Sequence, residues 1–247
     1  MSKDWAFYSR DADGQPASVR LDMAIAEDAP LAHLPVAAWV QLPLLRPHDD
    51  GLPGQADADA LDAIEAALAA ALVARSTAYV GRFATRGRCD FHFYTSAAGG
   101  WKERVASALQ GFPDRTFTCG SRPDREWDIY FDRLSPSEED LMRIQNRRLC
   151  DALQGSGERF EQPRPIEHSA YFPDASARAR FVERATQAGC RTIEMVEPEA
   201  RGEQYGVRVS AIGIPSHERI DALTLPLFRA AEDCGGEYDG WETQVIA

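Results

Sequence analysis

The chain has 247 residues, 27 basic and 39 acidic, for a formal net charge of −12 and an isoelectric point near 4.9. That length allows one large domain or two of ordinary size, and 44% hydrophobic with 27% charged residues is a globular composition. So acidic a chain repels phosphate backbones, which argues against direct nucleic-acid binding.

In chain order, residues 5–10 and 18–23 read as a hairpin around an Asp13-Gly14 turn. Residues 36–45 follow as a strand, and His48 to Gln55 as a polar loop. A helix begins at Asp57 and Asp59, striped by Leu61, Ile64, Leu68 and Leu72. Residues 77–85 and 89–95 read as paired strands, 101–109 as a helix and 127–131 as a closing strand. The seam comes next. Ser135-Pro136-Ser137-Glu138-Glu139-Asp140 starts a helix expected over 136–153, and Gly155-Ser156-Gly157 stops it. Residues 168–172 read as a strand, and Asp174 caps a helix that Gly189 closes. Residues 190–196 and 205–212 are expected strands. Ser216 opens a helix that Pro226 should kink or split, and 241–246 should close the sheet.

Each half thus reads β-α-β-β-α-β. The expected fold class is α+β, two ferredoxin-like antiparallel sheet/helix sandwich domains in tandem, over 1–135 and 136–247. Both halves are acidic, with 14 basic against 19 acidic residues before the seam and 13 against 20 after it. Lys3 and Lys102 are the only lysines; the other 25 basic residues are arginines, a bias toward planar, bidentate pairing. Five cysteines without a CxxC read as free thiols rather than as a disulfide framework or zinc site. No apolar run follows Lys3 and the longest one, 66–74, is too short for a bilayer, so a cytoplasmic protein without membrane contact is expected.

Enzyme signatures are lacking. There is no P-loop, no G-x-G-x-x-G, no G-x-S-x-G and no H-E-x-x-H, and His33, His48, His92, His168 and His217 never fall at metal-ligand spacing. Asp11-Ala12-Asp13-Gly14 places its glycine too early for a calcium loop and reads as a turn. No catalytic residue, cofactor or metal is expected. The stronger feature is Gly235-Gly236-Glu237-Tyr238-Asp239-Gly240-Trp241-Glu242, with two aromatics, three acids and three glycines in eight residues. Two readings stand: a helix stop and bend with Trp241 in the core and Tyr238 sealing its edge, or a surface of aromatic anchors rimmed by acids that suits an arginine-rich partner. Glu167-His168 should lie beside it, because the first and last strands of this order are neighbours. Arg82, Arg86 and Arg88 read as basic residues near a hairpin tip.

Residues 146–245 resemble the bacterial regulator of ribonuclease E activity B (RraB) family. Pro165-Ile166-Glu167-His168, Tyr171-Phe172, Ala179, Phe181, Gly189 and the string from Gly235 to Trp241 carry the resemblance. Residues 4–135 resemble the bacterial domain of unknown function (DUF) 695 family. Here the match rests on Trp5, Tyr8, Asp50-Gly51-Leu52-Pro53, Tyr79-Val80-Gly81-Arg82, Phe91-His92-Phe93-Tyr94 and Trp127-Asp128-Ile129-Tyr130. The first resemblance implies a ferredoxin-like fold and a non-catalytic regulator that inhibits an RNA-degrading endonuclease, ribonuclease E, by binding its disordered region. The chain departs from that family in its fused first domain and at Tyr205-Gly206-Val207, where a tryptophan-containing strand is expected. The expected partner-binding residues are Glu167, His168, Glu237, Tyr238, Asp239, Trp241 and Glu242, and the expected partner is an arginine-rich segment of a ribonuclease or other RNA-processing protein. Two alternatives are an enzyme or ligand-binding protein with a cleft between the domains, using His92, His168, Asp239 or a cysteine, and a scaffold that forms homo-oligomers through sheet edges.

Overall fold

In a computed structural model, residues 4–200 and 203–246 are described. The chain divides into two compact units, Met1–Pro136 and Ser137–Ala247. Both are α+β, and every strand pairing described is antiparallel. Among the described residues, no helix is long and apolar enough to cross a membrane.

The first unit has strands β1 (Trp5–Asp11), β2 (Pro16–Asp22), β3 (Val36–Pro43), β4 (Thr77–Thr85), β5 (Arg88–Thr95) and β6 (Thr118–Pro123), with helices α1 (Gln55–Leu72) and α2 (Trp101–Ala108). The sheet order is β1-β2-β4-β5-β3-β6. Asp11 Oδ1 accepts the Gly14 N–H at 2.7 Å and so closes the hairpin turn. Central strand β5 is buried on both faces. Cys89, Phe91 and Phe93 pack with Leu61, Ile64, Leu68, Trp101 and Val105 from the two helices, while Asp90, His92 and Tyr94 point the other way.

That second face corrects the sequence reading of residues 127–131. The closing strand is β6, which pairs with β3 from Gln41↔Thr118 to Val36↔Pro123. Its sequence, Thr-Cys-Gly-Ser-Arg-Pro, hides it, because Gly120 is there to let the Trp39 ring lie flat: an added Cβ would sit 2.5 Å from Trp39 Cζ2. Trp127 instead leads into a π-helical turn, Ile129–Leu134, within a strap across the sheet. The Trp127 ring stacks on Tyr94 at 3.9 Å and 7° and its Nε1 donates to Leu34 O at 3.1 Å. Asp124 holds the strap's start, accepting the Tyr94 hydroxyl at 2.7 Å and the Asp128 N–H at 2.9 Å. Tyr130 donates to Asp22 O at 2.8 Å, and Tyr8 donates to Leu134 O. Trp127 and Tyr130 of the aromatic run are core, without strand alternation. Arg82 likewise leaves the expected basic tip, pairing with Glu65 at 3.1 Å and Asp62 at 2.7 Å on α1.

The second unit has α3 (Glu138–Gly155), β7 (Arg164–Phe172), α4 (Ala175–Gln187), β8 (Arg191–Val196), β9 (Tyr205–Gly213), α5 (Ile220–Asp233) and β10 (Glu237–Glu242). Its sheet runs β10-β7-β9-β8. Ser137 and Asp140 form a capping box on α3, and Asp174 caps α4 through the Ala177 N–H at 2.8 Å. Gly189 and Gly235, at φ 88° and 78°, take the left-handed conformation that ends α4 and α5. α5 passes through Pro226 unsplit, with that residue on the exposed side. It starts at Ile220, after a turn in which Arg219 and Ile220 both donate to Ser216 O. The last strand starts earlier than expected, at Glu237, and ends at Glu242, where the sequence placed 241–246.

The strap supplies a direct stability test. Trp127→Ala removes a fully buried indole and its stacking on Tyr94, so equilibrium urea unfolding should show a loss of about 3–5 kcal/mol in the first unit. A loss below about 1 kcal/mol, the usual size for a surface site, would mean that the strap is not core.

Candidate partner-binding surface

β10 lies against β7 in two registers. Glu237 and Tyr238 oppose Tyr171 and Ala170, then Asp239 bulges out and Gly240, Trp241 and Glu242 oppose Ser169, His168 and Glu167. Gly240, at φ 118°, supplies backbone that other residues rarely adopt. A regular strand alternates faces, so residues 238 and 241 would point oppositely. The bulge resets the phase, and both aromatics turn toward the helices while Glu237, Asp239 and Glu242 stay outside.

Tyr238 is buried with Phe228, Phe172 and Phe181 in the helix-side core, and its hydroxyl meets Nδ1 of the equally buried His168 at 2.7 Å. Burial lowers the His168 pKa to about 4, so the ring is neutral at pH 7. Trp241 is half-buried and donates from Nε1 to Asn146 Oδ1 at 2.8 Å. Asn146 Nδ2 donates onward to Asp221 and Thr224, each at 2.7 Å. One buried amide thus joins α3, α5 and β10. Both aromatic residues thus pack toward the helices, Tyr238 buried and Trp241 partly so.

On the opposite, helix-free face of this sheet, Arg208 on β9 pairs with Glu167 at 3.1 Å, Glu194 at 3.5 Å and Glu242. Tyr171 is the exposed aromatic residue there. A cavity of about 380 Å³ lies over Ser169, Tyr171, Arg208, Asp239, Trp241 and Glu242. Around the edge of β10, a groove of about 310 Å³ runs between α3, α5 and the strand. Its floor includes Met142, Phe228 and Tyr238, and its rim Glu138, Glu232, Glu237 and Asp239. The seven expected residues therefore separate: Glu167 and Glu242 on the sheet face, Glu237 and Asp239 at the groove (Asp239 borders both), and His168 in the packing between, with Tyr238 reaching the groove floor and Trp241 the sheet-face cavity.

In the first unit, strongly shifted groups belong to the core. Burial lowers the His92 pKa to about 3 and pushes the Cys89 thiol and Tyr94 hydroxyl up, and all three side chains are packed inside the first unit. All five cysteines are free thiols, four of them buried. Among the described residues, no cluster of three or more His, Cys, Asp or Glu could hold a metal ion.

The model of the family of unknown function DUF695 matches residues 3–135, more than half of the chain. The chain belongs to that family. The model named regulator of ribonuclease activity B matches residues 143–243, the segment that follows the DUF695 unit and contains β7, β10 and most of α3. No curated protein matches the chain. Among solved structures, an unknown protein from Galdieria sulphuraria is 14% identical, covering 85% of this chain and 98% of that one, with a TM-score of 0.24. A putative glycine cleavage system transcriptional repressor is 10% identical at the same coverages, with a TM-score of 0.27.

Sequence reasoning missed Asn146 and Arg208. Asn146 interrupts the α3 stripe of Met142, Cys150 and Leu153, and a polar residue in an apolar stripe is a readable sign of a buried network. Arg208 carried no such sign, since its three partners come from three other strands.

His168 gives a pH test. Its folded pKa of about 4 lies below the ordinary 6.5, so below pH 6.5 the unfolded chain takes up a proton that the folded chain refuses, and stability falls as pH drops toward 4. Relative to His168→Gln, the wild-type unit should lose about 2 kcal/mol between pH 6.5 and pH 5 in urea titrations. A difference independent of pH would contradict the buried neutral imidazole.

Proposed function

We propose that this chain is a non-catalytic, protein-binding regulator that inhibits or modulates an RNA-degrading endonuclease of the ribonuclease E type in the cytoplasm. The match of residues 143–243 to the regulator of ribonuclease activity B model carries this reading. The fold proposed for that unit is ferredoxin-like, supported by its β-α-β-β-α-β order with β7 and β9 central and β10 and β8 at the edges. The β3-α1-β4-β5-α2-β6 part of the DUF695 unit has the corresponding strand order, with the β1–β2 hairpin added beside β4.

The partner proposed is an arginine-rich segment of the endonuclease, which the acids of β7 and β10 attract. Glu167, Glu237, Asp239 and Glu242 provide the charge, while His168, Tyr238 and Trp241 fix the strand that presents it. Single exposed ion pairs contribute only about 0.2–1 kcal/mol, so binding is a sum of many pairs and depends on salt. Occupied by this surface, the segment no longer holds RNA, and cleavage is slowed or redirected.

The test pairs a cleavage assay with binding. The full chain should slow or redirect RNA cleavage by the endonuclease, and its affinity for the basic segment should fall by about tenfold or more between about 50 mM and about 500 mM salt. Unchanged cleavage together with no binding at the lower salt would overturn the proposal.

A further inference from the structure

We infer that the groove between the start of α3, the end of α5 and the first half of β10 is a docking slot for an arginine side chain of a partner protein, with an apolar neighbour of that arginine seated on Leu141. The inference rests on the protein-binding reading above and narrows it to one place.

Charge is unevenly distributed around the groove. None of Glu138, Glu232, Glu237 and Asp239, the acids of the groove rim, has a side-chain ion pair or hydrogen bond among the described residues. Their neighbours do. Glu139, next to Glu138, is held by Arg143 at 2.5 Å and by Arg229 at 2.6 and 2.7 Å, which keeps its carboxyl near pKa 2. Asp233, next to Glu232, pairs with Arg184 at 2.6 Å. In a chain with 25 arginines, this rim is left without counter-charge. Partial burial and the nearby Glu138, Glu139 and Asp233 raise the Glu232 carboxyl above its ordinary pKa, a repulsion that an incoming cation relieves.

The groove holds about 310 Å³, at the bottom of the range of small-molecule sites, a volume suited to one long side chain. Met142, Phe228 and Tyr238 on its floor offer apolar surface to the methylenes of such a side chain, and Leu141 on its margin is 39% exposed. A guanidinium is planar and weakly hydrated, so it can bridge two carboxylates while lying on an apolar floor. The cavity on the sheet face is the weaker candidate, because Arg208 already holds Glu167 and Glu242 and an entering cation would have to displace it.

The test uses the full chain and three labelled peptides, in which arginine, lysine or glutamate alternates with leucine, together with the basic endonuclease segment. Two double variants are compared, Glu138→Gln/Glu232→Gln at the slot and Glu167→Gln/Glu242→Gln on the sheet face, after urea titration has shown wild-type stability. The arginine peptide should bind, the glutamate peptide should not, and the slot pair should weaken binding by at least about fivefold, more than the sheet-face pair does. Wild-type affinity in the slot pair, or loss confined to the sheet-face pair, would overturn the slot and leave the regulator reading standing. Slot-dependent peptide binding without any effect on the endonuclease would support the slot and overturn the regulator reading. Equal affinity for the lysine peptide would overturn the choice of arginine, and no binding of any basic peptide or segment would overturn both proposals.

Discussion

The bulge at Asp239 is the constraint on which the second unit depends. Without it, Tyr238 and Trp241 would project from opposite faces of β10, and one large aromatic would be driven into water. With it, Tyr238 reaches His168 at 2.7 Å and Trp241 reaches Asn146 at 2.8 Å on the same side of the sheet. The three acids of the same eight-residue string then have nowhere to go but outward. Packing and surface charge are consequences of one backbone irregularity, and Gly240 at φ 118° makes it cheap.

Arginine shapes the charge of the unit as much as the acids do. Arg208 spans the helix-free face of the sheet and ties Glu167, Glu194 and Glu242 together. Arg143, Arg229 and Arg184 do the same for Glu139 and Asp233 at the helix side. Such exposed pairs contribute little stability. Their effect is to neutralise the acids they touch and to leave Glu138, Glu232, Glu237 and Asp239 as a separate negative rim. The net charge of −12 therefore includes a group of unpaired acids where α3, α5 and β10 meet.

Much of the architecture was legible in the sequence because it rests on local signals. The Asp13-Gly14 turn, the capping run before Glu138, the Asp174 cap and the glycines at 189 and 235 mark the element ends, and periodicity supplies most elements between them. Two things resisted. The strap around Trp127 was read as a strand because an aromatic-rich segment that covers a sheet is composed like one that belongs to it. Weakly patterned β6 was then passed over, since nothing local shows that Gly120 exists for the Trp39 ring. In the candidate site, the string from Gly235 to Glu242 was visible as unusual, but the direction of its aromatics was not. A period of two gives the wrong faces, and a bulge is specified by pairing with β7, which is non-local. Arg208 stayed hidden for the same reason, its partners being set by register.

The central claim is that the outward acids of β10, with the neighbouring ends of α3 and α5, meet the partner. Hydrogen–deuterium exchange on the full chain, with and without a saturating basic segment of the endonuclease, tests it most directly. New protection is expected in residues 137–145 and 228–242. Protection confined to the DUF695 unit or to the β8 edge, with those segments unchanged, would contradict it.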